Sequence, residues 1–465
     1  MPDIARRRPT ALVIGASAAG LFAAAALADF ADVTIVERDV LPGGPEPRRG
    51  VPQARHAHLV WSGGVLAFED LLPGAVDDVV AKGGRLVDIM GDMVSRAPNE
   101  VWFRRFTGGY HRNLVCSRDL LDSVLRSHVF ALDSVTVRQD TTVLELEGTA
   151  RRVTGVRART GDDEVTLTAD LVVDASGRGS HAPRWLTALG LPDVTEREVN
   201  AGVAYATRVY RAPGSTAGTR FPLINVQANP DKAPGQGGII LPVEGDRWIV
   251  TLSGTRGGEP TADPDAFLPF ARNLGDPIIG ELLEHADPLS DIATTRSTAN
   301  RRRYYEKLSR WPDGFVVLGD AIAGYNPVYG HGLTVAAQCA LAVRDQLGAQ
   351  HITAPGTARA LQHAAAKPVA AAWDLAVGQD AFYPGASDTP PTAAERFLAR
   401  FVDRAVETGA SNPRALAALL DVMSLEKPAT RLFSPDMLRP MLFGPRRPPL
   451  EGPPITDKER RAAAS

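Results

Sequence analysis

The sequence predicts an α/β protein: a parallel-sheet dinucleotide-binding domain, a separate antiparallel β-sheet domain, and helices at the C-terminus. Three observations carry this. Ala11-Leu12-Val13-Ile14 runs into Gly15-Ala16-Ser17-Ala18-Ala19-Gly20 and then an Ala/Leu-rich stretch to Leu27. Far downstream, the apolar run Phe315 to Leu318 ends at Gly319-Asp320 and is followed by Gly324-Tyr325-Asn326-Pro327-Val328-Tyr329-Gly330-His331-Gly332. Between them, residues 199–255 alternate apolar and polar side chains.

Ala11–Ile14 is expected as a buried strand, because a continuous apolar run needs cover on both faces. Gly15 makes the tight turn, and Gly20 permits close packing of helix on strand. Val33 to Val36 forms the next strand and closes on Glu37. This is the dinucleotide fingerprint with Ser17 at its second glycine position. A hydroxymethyl is the smallest side chain that still fits where the backbone nears a pyrophosphate. Glu37 is placed to bind ribose hydroxyls and would repel a 2′-phosphate.

Arg48-Arg49-Gly50-Val51-Pro52-Gln53-Ala54-Arg55-His56-Ala57-His58 packs three arginines and two histidines after that strand. It reads as a loop along the pyrophosphate, with Arg48 or Arg49 paired to phosphate. His56 and His58 could form a metal pair or supply a base, but no third ligand stands nearby, so structural hydrogen bonding is the expected role. Ser117 can cap a helix carrying Leu120, Leu121, Val124 and Leu125 on one face. Arg118 then lies in the first turn, against the helix dipole, and answers either a phosphate or ribose or only solvent. Leu171-Val172-Val173-Asp174 is another buried strand, ending in the turn Ser176-Gly177-Arg178-Gly179. Val203–Tyr210, Gly238–Leu241 and Trp248–Leu252 give the antiparallel sheet.

At the second motif, the Asp320 carboxylate can accept hydrogen bonds from sugar or ribityl hydroxyls. Pro327 stiffens the loop, while Gly330 and Gly332 leave room for a flat ring at a helix start. The helix expected over Leu333–Leu347 would turn its positive end toward that ring, where a reduced flavin carries negative charge. The predicted boundaries are 1–195 and 296–355 for the cofactor domain, with 60–110 partly substrate-facing. Residues 196–295 form the β-rich domain, and 356–465 the C-terminal helices, whose last dozen residues are expected to be disordered.

With 465 residues, 44% of them hydrophobic, the chain can bury large cores. A net charge of −3 provides no basic field for nucleic acid. Arg6-Arg7-Arg8 before an apolar run could be mistaken for an export signal, but Gly15, Ser17 and Gly20 break the run. No stretch reaches the length of a membrane span. Two cysteines, Cys116 and Cys339, make neither a metal cluster nor a disulfide framework, so a reducing, cytoplasmic setting is expected.

Taken together, GASAAG…Glu37, RRGVPQARHAH, CSRDLL, DASGRGS and GDAIAGYNPVYGHG resemble the flavoprotein monooxygenases that include para-hydroxybenzoate hydroxylase and squalene epoxidase. Asn200–Arg208, RSTANRR at Arg296–Arg302 and YNPVYGHG are similar to strings of the actinobacterial epoxidases of polyether biosynthesis. The resemblance covers about residues 10–350 and continues weakly through Asp421–Leu425. It implies a glutathione-reductase-like FAD domain. Gly15, Ser17, Ala18, Ala19, Gly20, Glu37, Arg38, Arg118 and Asp320 would hold the adenosine, pyrophosphate and ribityl parts. Arg49, Val51 and Pro327 would lie beside the flavin, with Gly330 and Gly332 at its pyrimidine edge.

The implied activity is epoxidation of a linear polyene through a flavin C4a-hydroperoxide, in natural-product biosynthesis, with no catalytic side chain and no metal. Gln53, His58, Trp61, Tyr205 and Tyr325 are the substrate-pocket candidates, and Trp102, Phe103 and Phe106 are further aromatics for its wall. Many relatives carry Asp-Gly in the turn after the 171–173 strand; here it reads Ser176-Gly177. NAD(P)H would therefore serve directly or through a partner flavin reductase. The protein is expected to be a monomer or homodimer. Rival readings on the same fold are an aromatic hydroxylase, a halogenase, an alkene reductase of the geranylgeranyl-reductase type, or a flavin-sensing protein. A halogenase would resemble a family with WxWxIP and an active-site lysine, whereas Lys82 is the only lysine in the first 231 residues.

Overall fold

Five parallel strands make the first sheet, in spatial order Phe315–Val317, Leu171–Asp174, Thr10–Ile14, Asp32–Val36 and Val135–Arg138. The computed structural model describes residues 7–216, 220–444 and 447–464. Arg6 and the rest of residues 1–6, residues 217–219 and 445–446, and Ser465 lie outside the described residues. The pairing puts Ile14 opposite both Val36 and Asp174, and Asp174 opposite Val317. Four motif-bearing turns, at Gly15, Glu37, Ser176 and Gly319, therefore leave the sheet at one carboxyl edge, where open α/β sheets bind ligands. The helices Ala18–Leu27 and Gly332–Ala349 pack on one another and share a core with these strands. An antiparallel sheet of Thr141–Gly148, Val153–Thr160 and Asp163–Thr168 adds to the same core.

The second sheet runs Asp287–Pro288, Ala204–Arg211, Arg247–Gly254, Gln236–Val243, Leu223–Val226 and Met93–Arg96, with Ala293–Thr295 also paired to Ala204–Arg211. Its central strands are antiparallel, as the alternation predicts, but Met93–Arg96 joins in parallel from a distant part of the chain. Alternation divides the two faces. Ala206, Tyr210, Trp248, Val250 and Leu252 pack under the helices Pro264–Arg272 and Ile278–Leu283. Thr207 and Thr251 face the other way, bonded to His56 and to the Ala57 N–H. The chain enters and leaves this unit on adjacent antiparallel strands, Glu196–Val199 and Asn300–Arg303.

Of the C-terminal helices, Thr357–Asp380 packs along Gly332–Ala349 and contributes Leu361, Ala365, Val369, Trp373 and Ala376 to the main core. Ala393–Ser411, Pro413–Met423 and Pro435–Phe443 form a separate core that reaches Trp61, Met93, Phe103 and Phe106. Trp102 departs from that aromatic group: the extended chain alternates, so Trp102 enters the core behind the second sheet while Phe103 faces the C-terminal helices.

The last dozen residues also depart from expectation. Asp457–Ala463 is a helix, started by a capping box of Thr456 and Glu459. Arg105 holds Glu459 at 2.8 Å, Arg460 reaches Glu281, and Ala463 is buried. Local capping and docking outweigh the polar composition. Both cysteines are free and buried; the Cys339 thiol donates to the Ala365 carbonyl, and burial raises its pKa to about 12. Among the described residues no helix is long and apolar enough to cross a membrane.

Trp248 is 1% exposed and stacks on Phe221 with ring centroids 5.0 Å apart. Trp248→Ala should lower the stability of the protein by about 3–5 kcal/mol, read as a shifted midpoint in chemical denaturation.

Candidate functional site

At the fingerprint turn Gly15 has φ +99°, and its N–H donates to the Val36 carbonyl at 2.8 Å. A Cβ on Gly20 would stand 1.8 Å from the Gly15 carbonyl oxygen, so only glycine allows the helix to lie this close. Ser17 occupies the N-cap position but makes no capping bond. Its hydroxyl instead accepts from Arg118 Nη2 at 3.1 Å, and Arg118 Nε donates to Asp122 at 2.6 Å. The serine at a glycine position thus has a partner, brought in by the Ser117-capped helix Arg118–Phe130. Leu21 is the first N–H of the fingerprint helix bonded back to Ser17, which leaves those of Ala18, Ala19 and Gly20 without intrahelical partners. This cradle of free donors suits a pyrophosphate.

Glu37 Oε2 accepts from the Ala16 N–H at 2.7 Å and from Arg48 Nη2 at 3.1 Å. Arg48 also donates to the Ala16 carbonyl, and all of this is buried. The expected choice between Arg48 and Arg49 for phosphate is thereby narrowed, since Arg48 is occupied in holding Glu37 against the turn. Glu37 Oε1 accepts only from the Asp39 N–H, at 3.0 Å, and keeps a lone pair for a ribose hydroxyl. Arg49 and Arg38 are exposed, and Val51 is buried.

The second motif meets the first directly. A Cβ on Gly319, which has φ +62°, would lie 2.7 Å from that of Ala19. Asp320 sits in a crevice, 3.9 Å from Arg178 Nε and 3.8 Å from where a Cβ on Gly332 would be. Burial raises its pKa above the usual value, against the pull of Arg178 and Arg118. The helix Gly332–Ala349 has no side-chain cap, and Val335 is its first N–H bonded back, to His331. Its Gly332 end lies beside Asp320, where the positive helix end favours an anion. Gly330, at φ +67°, closes the short turn Pro327–Tyr329, and Trp61 Nε1 donates to the Tyr329 carbonyl at 2.9 Å. Pro327 and Val328 are exposed.

Of the substrate-pocket candidates, two meet that turn, Trp61 and Tyr205. Trp61 bonds it directly, and the Tyr205 hydroxyl donates to Asn326 Oδ1 at 3.0 Å. His58 Nδ1 is bonded to the His56 carbonyl, and His56 to Thr207 Oγ1, each at 2.8 Å. Burial, reinforced by Arg55 at His56 and by Arg118 at His58, lowers both pKa values to about 4. The pair is neutral near pH 7 and is held as hydrogen-bonding structure. Gln53 is exposed. Tyr325 does not join the group: it is buried with its hydroxyl on the Val369 carbonyl, turned into the helix Thr357–Asp380.

Sequence reasoning missed Asp380, which accepts hydrogen bonds from Asn300, Asn326 and Tyr329. The signal was a charged residue in phase with the buried Trp373, Ala376 and Val377 on one helical face. It also missed a cluster around the buried Asp421 of the helix Pro413–Met423. There the Asp421 carboxylate accepts from Tyr110 at 2.6 Å and Arg431 at 2.7 Å, and pairs with His111 at 3.2 Å.

The free donors of the first helix, Glu37 at the next turn and Asp320 in the second motif meet at the carboxyl edge of one parallel sheet. The chain matches the family described as FAD binding domain over residues 8–376. Protein Rv3254 of Mycobacterium tuberculosis (strain ATCC 25618 / H37Rv) is 33% identical to it over 429 residues, spanning 84% of this chain and 89% of that one. Among solved structures, the flavin-dependent brominase Bmp2 superposes with a TM-score of 0.65 at 14% identity, covering 90% of this chain and 93% of that chain. The p-nitrophenol 4-monooxygenase PnpA of Pseudomonas putida DLL-E4 gives 0.63 at 16% identity, covering 90% and 99%. This chain belongs to the FAD-binding-domain family, with the fold shared by flavin-dependent monooxygenases and halogenases.

Two outcomes are expected from this geometry. Asp320→Ala should weaken FAD binding by about tenfold or more, measured by flavin fluorescence titration. His56, His58 and His331 each have a pKa lowered from 6.5 to about 4, so the fold binds their protons less readily than the unfolded chain. The stability this contributes is complete above pH 6.5 and is lost as pH falls toward about 4. Thermal unfolding across that range should show the slope, and His331→Asn should flatten it.

Proposed function

We propose that the protein is a monooxygenase that transfers one oxygen atom from dioxygen to alkenes of a linear, apolar polyene, giving epoxides. FAD would be held by the Ala18–Gly20 donors, Glu37, Arg118 and Asp320, with its ring toward Gly330 and Gly332. When bound and reduced, FAD activates dioxygen for oxygen transfer, and the protein groups position the alkene and exclude water. The observation that carries the reading is the apolar cluster that Trp61 joins to the 327–330 turn. Leu59, Trp61, Met93, Phe103 and Phe106 pack with Leu416, Leu419 and Leu420, and the nearby histidines are neutral. Such apolar surroundings suit a neutral hydrocarbon better than a phenolate.

Electrons would come from NAD(P)H, and the turn at Ser176 favours a separate flavin reductase as their carrier. The Asp174 carboxylate there is buried and taken up by the Ser176 N–H, its hydroxyl and the Ser180 hydroxyl. The likeness to Bmp2 favours a second reading, halogenation. It lacks support from lysine chemistry, because Lys82 is exposed at the end of the helix Ala75–Ala81.

Incubation of the FAD-loaded enzyme and a reductase with a linear polyene and labelled dioxygen should add one labelled oxygen per alkene, opening to diols in acid. Flavin turnover that releases peroxide and leaves the polyene unchanged would overturn the epoxidase reading. Lys82→Ala should retain full turnover; its loss, with halide incorporated into product, would favour halogenation.

A further inference from the structure

We infer that Asp380 is a positioning residue that fixes the turn Asn326–Gly330 against the second sheet, and so governs how tightly reduced flavin is coupled to oxygen transfer. The inference rests on the monooxygenase reading for its consequence, but not for its geometry. Asp380 is the last residue of the helix Thr357–Asp380 and is 2% exposed. It lies beyond residue 376, where the family match ends. One oxygen accepts from Tyr329 at 2.5 Å; the other accepts from Asn300 at 2.7 Å and Asn326 at 2.9 Å.

The two asparagines extend the contact. The Asn326 N–H donates to Asn300 Oδ1 at 2.7 Å, and Asn326 Oδ1 accepts from Tyr205 at 3.0 Å and from the Val328 N–H at 3.3 Å. A single carboxylate therefore ties together a helix end, the strand that re-enters the cofactor domain, the turn, and the second sheet through Tyr205. Its placement is costly. It is desolvated, it stands at the negative end of a helix, and its three hydrogen-bond donors are all neutral.

What the carboxylate offers in return is acceptor capacity without a donor. An amide of the same shape would set an N–H against an asparagine N–H or the tyrosine hydroxyl. The surroundings tie the network to the turn, not to general packing. Asp380, Asn326, Tyr329, Val328 and Val203 line one cavity of about 40 Å³. Val328 and Pro327, on the same turn, are exposed, so the turn is anchored through the buried Tyr329 ring and through these bonds.

The test compares wild type with Asp380→Asn, full-length and loaded with FAD. Hydrogen exchange of a peptide covering residues 326–331 should accelerate about tenfold, while peptides of the parallel sheet stay unchanged. The share of reductant recovered as hydrogen peroxide should rise at least threefold, and the FAD dissociation constant should change by less than that. Equal exchange in the turn with an unchanged peroxide share would overturn the proposal, as would acceleration spread evenly over the whole protein. If Asp380→Asn does not fold, Tyr329→Phe, which removes one donor, is read by the same criteria. The peroxide share is measured during turnover with polyene, because without an oxygen acceptor all the reductant ends as peroxide; the exchange readout needs no polyene. A wild-type enzyme inactive on polyenes would therefore count against the substrate proposal alone, and the exchange result would still decide the role of Asp380.

Discussion

The contact on which the remainder of the site depends is the approach of the first helix to the turn before it. Because Gly20 has no side chain, the Gly15 carbonyl and the helix backbone share a space that a methyl group would fill. That contact sets the height at which the helix leaves the sheet, and hence where its free N–H groups stand. Arg118 reaches Ser17, and Gly319 reaches Ala19, only because the helix start is in this place. The parallel register then holds Glu37 and Asp320 at the same edge, though they lie 283 residues apart in sequence.

Around this fixed edge the more variable parts are arranged in layers. The second sheet gives one face to its own helices and the other to the 56–59 segment. The C-terminal helices close over Trp61, Met93 and Phe103 from the opposite direction. Buried polar contacts join these layers: His56 with Thr207, which in turn meets Thr251, and Tyr205 with Asn326, while half-buried contacts of Asp421 reach Tyr110 and Arg431. Such contacts fix one arrangement of the layers, because a shift would strand polar groups away from water.

The sheets and the cofactor edge were legible in the sequence, because buried parallel strands read as apolar runs and their turns must carry glycine. The roles of individual charged side chains were less so. Arg48 and Arg49 are adjacent and chemically equal, and only the fold turns one inward onto Glu37 and leaves the other exposed. Ser17 looked like a tolerated departure until Arg118 supplied its partner from a hundred residues away. Tyr325 and Tyr329 share a motif, yet the chain sends one hydroxyl to the Val369 carbonyl and the other to Asp380. Neither destination has a local pattern. The terminal helix escaped notice because its docking partners, Arg105 and Glu281, are far away in the chain.

The burial of both cysteines bears on the working lifetime of the protein. Flavoproteins whose reduced cofactor meets dioxygen release some peroxide, and peroxide attacks sulfur chiefly as thiolate. Cys116 and Cys339 are shielded from solvent, and burial shifts both toward the protonated form. Oxidative inactivation by the protein's own leakage would therefore begin at half-buried methionines such as Met423 and Met441 or at the flavin, and reducing agents that restore thiols would do little to reverse it.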